Sequence, residues 1–155
     1  MIEERSGQLA DIFLWLPGIN GESTDAGFPS TIELYSAKWG WNLPETSPDR
    51  FGPAQAHQIV VSKAVDSTSP QLLLMLSIAR RIITGRINFR KPGELGASTF
   101  LVIDLFDVVV RRISAESSGP MGLLSEQVSL GFSRGFWTFK RRNADDVRFV
   151  WPPPA

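Results

Sequence analysis

His57 is the only histidine in the chain, and it shares a strand face with Ile59 and Val61. Nucleophilic catalysis needs a base with an orienting partner, and a zinc site needs three or four ligands. A lone imidazole supplies neither, so a structural or surface role is expected. Asp104 and Asp107 lie three apart in an extended segment and point to opposite faces, so they cannot work as a carboxylate pair. Glu22, Asp25 and Asp66 are free to meet in space, but their spacing describes no glycosidase dyad. Gly18-Ile19-Asn20-Gly21 lacks the spacing of a dinucleotide or phosphate loop, and no helical pattern follows it, so it reads as a turn. Asp145-Asp146 reads as a solvated charge pair. The clusters Arg80-Arg81, Arg111-Arg112 and Lys140-Arg141-Arg142 would suit single-stranded nucleic acid if aromatics were interleaved. However, 16 acidic side chains balance 16 basic ones, whereas phosphate binding rests on a basic excess. The residues therefore predict no enzyme, no metal or cofactor and no nucleic-acid partner.

Composition sets the frame in which these residues sit. A chain of 155 residues is about one domain long, enough for a single core. With 43% apolar and 21% charged residues it is balanced like an ordinary globular protein, not a disordered one. The absence of cysteine excludes a disulfide framework and thiolate metal sites. Met1-Ile2-Glu3-Glu4-Arg5 is not the basic start of a signal peptide. No apolar run approaches a membrane span, since Leu101–Val110 is broken by Asp104 and Asp107. These features predict synthesis in the cytoplasm, no membrane insertion, and a leaderless route if the protein is secreted. Zero formal charge removes long-range self-repulsion, which suits self-association.

The elements read as strands around one helix. Residues 10–16 form a strand apolar on both sides, with Ile12, Leu14 and Leu16 opposite Phe13 and Trp15, and must be covered on both. Residues 17–30 form a long loop of the kind that carries function. Residues 31–43 form a second strand whose apolar phase flips once, predicting a bulge or corner near Leu34–Tyr35. Residues 44–53, with Pro44, Pro48 and Pro53, are expected to be a loop. A third strand spans 54–66. Ser69-Pro70 opens a helix, Ser69 as cap and Pro70 in the first turn, with Arg80 and Arg81 in its last turn and Gly85 as the stop. Leu72, Leu76, Ala79 and Ile83 form one helical stripe, and Leu74, Ile78 and Ile82 a second, so the helix is expected to be sandwiched. Residues 86–91 alternate, with Ile87 and Phe89 inward, and Pro92-Gly93 turns the chain. Residues 97–113 form a long strand apolar on both faces, 114–122 a loop, and 126–140 the last strand. In it Val128, Leu130 and Phe132 oppose the small residues Ser129, Gly131, Ser133 and Gly135. The tail through Pro152, Pro153 and Pro154 reads as an extended arm or frayed end. Strands without alternating helices predict a mainly β fold, a small antiparallel β-barrel with one flanking α-helix. The surplus of two-sided apolar surface is more than one barrel hides, which predicts neighbouring copies closing into a ring.

Four stretches together resemble the haemolysin-coregulated protein (Hcp) family, the tube proteins of type VI secretion systems. They are Asp11 to Asp25 (ending Gly21-Glu22-Ser23-Thr24-Asp25), Ile32-Glu33-Leu34-Tyr35-Ser36 with Trp39-Gly40, Val65 to Leu73 (with Asp66 and Ser69-Pro70), and Glu126-Gln127-Val128-Ser129-Leu130-Gly131-Phe132. In order, they cover roughly residues 10–140. The resemblance implies an Hcp-like barrel over 10–142, flanked by an N-terminal extension (1–9) and a Pro-rich tail (143–155). It further implies homohexameric rings stacked into a tube, tipped by a spike protein, expelled by a contractile sheath and carrying effector proteins in the lumen. The protein would be cytoplasmic before firing and extracellular afterwards. Within this resemblance, Glu22, Ser23, Thr24 and Asp25 are expected at the ring-stacking contact. Ser129, Gly131 and Ser133 are expected either to line the lumen or to permit close sheet packing. The family often has Gly-His where Ala26-Gly27-Phe28-Pro29 stands here. The tail-tube protein of a phage or of an extracellular injection system, and a monomeric β-barrel binding module, are the rival readings.

Overall fold

The computed structural model describes residues 10–91 and 98–154. The Pro92-Gly93 turn and the 1–9 extension lie outside the described residues. The elements in chain order are β1 (Asp11–Trp15), β2 (Ile32–Leu34), β3 (Ser36–Lys38), β4 (Trp41–Asn42), β5 (Glu45–Ser47), β6 (Arg50–Phe51), β7 (Gln55–Ala56) and β8 (Ile59–Ala64). Then come α1 (Thr68–Ser77), β9 (Arg81–Lys91), β10 (Ser98–Ser118), β11 (Leu123–Gly131), β12 (Arg134–Phe139) and β13 (Val147–Trp151). Nine strands share one antiparallel sheet, ordered β2-β1-β9-β10-β11-β8-β3, with β12 added to β10 and β13 to β12. The sheet is barrel-like rather than fully closed, mainly β with a single helix among the described residues, as the patterning predicts.

The expected corner falls at Tyr35. Ile32 and Leu34 are buried while Tyr35 is exposed. β2 pairs β1 but β3 pairs β8, so one residue carries the chain between the two ends of the sheet. The Tyr35 amide still donates to the Ser62 carbonyl at 2.7 Å, so the turn leaves no orphan donor there.

A second corner corrects the reading of the long strand. Ile103 and Leu105 are buried, and so are Val108 and Val110. Between them Asp107 has φ +58°, a left-handed conformation that shifts the alternation by one residue. The inward face therefore shifts by one residue beyond Asp107, while Val102, opposite Ile103, is buried on the other side as well. β10 pairs β12 through Phe106 and β11 from Val109, so the shift sits where the sheet divides. Arg81 donates to the Asp107 carboxylate at 2.9 Å.

Five further boundaries differ from expectation. The helix stops at Ser77, not at Arg80–Arg81: Ala79 turns left-handed (φ +50°), and the amides of Ala79 and Arg80 return to the carbonyls of Leu76 and Met75. That pattern closes a helix without glycine, and the β-branched run Ile82-Ile83-Thr84 then goes to β9. Leu72 is buried, whereas Leu74 and Ile78 of the second stripe stay exposed and its third member, Ile82, is buried on β9. Residues 114–122 are mostly strand, with β10 running to Ser118. Residues 44–53 hold the β5–β6 hairpin. The segments read as single strands over 31–43, 54–66 and 126–140 are each divided, the last where the Ser133 amide turns to the Phe106 carbonyl. Residues 147–151 are neither frayed nor outside the barrel. They form β13 on β12, with Trp151 half-buried against Trp41 (ring centroids 6.2 Å).

Candidate assembly surface

The loop between β1 and β2 is held by its own backbone. Gly21 and Ser23 amides donate to the Ser30 and Thr31 carbonyls at 2.9 and 3.1 Å, and the Ser30 amide returns to Ser23 at 2.9 Å. Phe28 folds back to stack on Phe13 at 4.5 Å, which covers Phe13 on the outer side of β1 and leaves Trp15 exposed. Arg90 of β9 grips the loop, its two terminal nitrogens each 2.8 Å from one oxygen of Asp25 and one also 3.0 Å from Asp11. The guanidinium lies 4.9 Å from the Phe13 ring centroid, a cation–π contact on the same residue.

The Arg90 hydrogen bonds, aided by the Gly27 amide, hold the Asp25 carboxyl at about 2, below its ordinary 3.8. A carboxylate with a depressed folded-state pKa adds stability above the unfolded value, and that contribution disappears as pH falls through the folded value. Asp25→Asn should therefore be less stable than the parent at pH 6, with the gap closing between pH 4 and about pH 2. Urea melts at each pH check this, and a gap constant down to pH 2 would contradict it.

The four loop residues expected at a contact thus divide. Ser23 is buried, its hydroxyl accepting from the Asp25 amide at 3.2 Å. Asp25 is held by Arg90. Glu22 reaches across to accept the Ser67 amide at 2.8 Å, at the start of α1. Only Thr24 of the four points outward without an internal role, beside exposed Ala26 and Pro29. Glu22, Asp25 and Asp66 do not converge: Asp25 goes to Arg90, and Asp66 to Lys63 and Thr68.

Of the small residues on β11 and beyond, Ser129 is buried, Gly131 half-buried and Ser133 exposed. A Cβ on Gly131 would sit 3.2 Å from Arg111 Cγ, so the glycine lets that stem lie across the strand. Gly131 and Ser133 edge a cleft of about 450 Å3 beside Leu76 of the helix and Ala79 just beyond it.

The largest polar feature escaped the sequence reading. Lys63 is fully buried on β8 and paired with Glu126, its direct cross-strand partner on β11. Its ammonium also donates to the Ala64 carbonyl (2.8 Å) and lies 3.2 Å from Asp66. Ser69 donates to Glu126 at 2.6 Å and accepts the Asp66 amide at 3.0 Å, so it is not the helix cap. The cap position is Ser67, whose side chain makes no capping bond, and Asp66 before it accepts the Thr68 amide at 2.9 Å and the Thr68 hydroxyl at 2.6 Å. Burial alone would raise the Asp66 carboxyl. The Thr68 bonds and the Lys63 charge outweigh burial and leave it below its usual value. The signal was available: Lys63 keeps phase with Ile59 and Val61, and Glu126 with Val128 and Leu130.

The other candidates hold ordinary surface contacts. His57 is exposed and bonded to Asn42 at 2.8 Å. Asp104 pairs with Arg86 and Asp146 with Lys140. Among the described residues no three His, Cys, Asp or Glu side chains cluster as metal ligands, and no helix is long and apolar enough to cross a membrane.

Residues 13–139 match the family described as type VI secretion system effector, Hcp. The curated protein hcp1 of Pseudomonas aeruginosa is 23% identical over 144 residues, covering 89% of this chain and 88% of that one. Among solved structures, Hcp1 from Salmonella typhimurium superposes with a TM-score of 0.75 at 24% identity, covering 92% and 93% of the two chains. A type VI secretion system effector from Yersinia pestis gives 0.74 at 20% identity, covering 91% and 98%. At these identities the structural likeness speaks for the fold alone.

Proposed function

This chain belongs to the Hcp family of type VI secretion system proteins, and from that membership we propose that six copies close into a ring and that rings stack into the secretion tube. In this reading the tube is tipped by a spike protein, driven out by a contractile sheath and able to carry effectors, and it contributes structure rather than catalysis. The protein waits in the cytoplasm and reaches the exterior by being expelled. The observation that carries the reading is the family match over residues 13–139, which runs from within β1 to the end of β12 and takes in the hydrogen-bonded loop at residues 17–30. Exposed Leu73, Leu74, Ile78 and Ile83 give further support, since surface of this kind calls for cover by neighbouring copies.

Within that assembly the 17–30 loop docks the next ring. Glu22, Ser23 and Asp25 hold the loop's shape, and Thr24 makes the contact. The burial of Ser129 and the Arg111 stem over Gly131 favour close packing for those two, and exposed Ser133 is left to face the lumen. Light scattering tests the ring: a particle six times the 17.2 kDa subunit is expected, and a lone subunit at every concentration would refute it. Thr24→Arg should leave that ring intact and abolish tubes seen by electron microscopy. Normal tube length in this variant would remove the loop from the contact.

A further inference from the structure

An open groove of about 470 Å3 lies on the outer face of the sheet across β1, β9 and β10. Trp15 forms one wall at 43% exposure, and Phe28 and Pro29 continue it. Thr84 and Asn88 bring a hydroxyl and an amide to the groove, and the Arg86–Asp104 ion pair (2.6 Å) borders it. An exposed aromatic wall beside scattered hydrogen-bonding groups suits a polyproline II segment, whose rigid rings pack on aromatics and whose carbonyls accept donors.

A run of three prolines, whose rings fix φ near the polyproline II value, follows β13. Pro152, Pro153 and Pro154 are exposed, and with no amide hydrogen to donate they cannot extend the strand ladder. Successive cross-strand partners Trp15, Arg86, Asp104, Phe136 and Val150 run in one line across the sheet. The prolines therefore leave the sheet at the level of the groove. Trp15 is four strands from β13, roughly 19 Å at ~4.8 Å per strand. Three residues of polyproline II span only about 9 Å. A copy cannot seat its own prolines against its own Trp15.

We propose that Pro152–Pro154 of one copy dock in the Trp15–Phe28–Pro29 groove of a second copy, strapping neighbours head to tail. This rests on the ring reading above, because a one-way strap closes only when the copies follow one another around an axis. The surface and the segment differ, so each copy gives one strap and receives one.

The chain has no cysteine, so an introduced pair reports cleanly. Pro154→Cys with Thr84→Cys, oxidised in the assembled protein, should give a ladder of linked copies on a non-reducing gel. Pro154→Cys with Ser47→Cys should give none. Removing residues 152–155 vacates the groove, and a labelled Val-Trp-Pro-Pro-Pro-Ala peptide should then bind saturably, with Trp15→Ala weakening it at least tenfold. Rings that persist without a ladder, a disulfide closed within one copy, or peptide binding indifferent to Trp15→Ala would each overturn the strap and leave the ring reading standing. A single subunit at every concentration would remove both.

Discussion

Lys63→Met is expected to lower the unfolding free energy by about 3–5 kcal/mol, the range for stranding one member of a buried ion pair. Glu126 would be left buried without its cation, with only the Ser69 hydroxyl donating to it. Asp66 would lose its nearest cation, 3.2 Å away, while still accepting the Thr68 amide. The loss should therefore reach α1 as well as the β8–β11 ladder, and amide exchange at Ser67–Leu72 should quicken along with it. The double variant Lys63→Met with Glu126→Leu tests the cause. Replacing both charges by apolar groups of similar volume removes the desolvation penalty together with the attraction, so most of the stability should return. Urea midpoints of the three proteins decide it. A double variant as unstable as the sum of its singles would mean that the network is needed for packing and not for charge pairing.

Gly21→Ala should cost about 3 kcal/mol or more, above the usual range for overpacking, because the obstruction is backbone. A Cβ there would lie 2.0 Å from the Thr31 carbonyl oxygen and 2.6 Å from the Ile32 nitrogen. Neither can rotate aside as a side chain could. The two legs of the loop cross at this point, held by the Gly21–Ser30 and Ser23–Thr31 hydrogen bonds, so spreading them breaks both. The displacement would carry through Glu22 to its bond with Ser67 and through Asp25 to Arg90. Thermal melts give the size of the loss, and amide shifts at Ser67 and Arg90 give its reach. A variant with parental melting and unmoved shifts would show that the loop legs separate freely.

The barrel class, the Tyr35 corner and the inward faces of β8, β9 and β11 were legible because period-2 alternation reports which side is buried. Where alternation broke, the cause was local backbone geometry that residue types do not announce. Asp107 and Ala79 both adopt positive φ without being glycine: one shifts the inward face of β10 by a residue, the other ends the helix early. The prolines at the tail's end carry no sign of the strand before them, Val147–Trp151, which pairs with β12. The outward loop was legible as a place but not in its components. Distant groups claim its charges, the Ser67 amide taking Glu22 and the Arg90 guanidinium taking Asp25, and spacing along the chain carries no sign of that. Lys63 and Glu126 were readable as two charges in apolar phase, and their pairing needed the β8–β11 register.

The twenty-one residues of β10 hydrogen-bond along their length to β9, β11 and β12. A load pulling this strand along its axis meets ladders whose bonds lie across the pull. They would have to slide together rather than break in succession. A subunit built this way stiffens along one direction while its short outer ribbons, β4–β7 and β5–β6, stay compliant. Stretched in a force spectrometer by the ends of that strand, it should rupture in one high step and not peel.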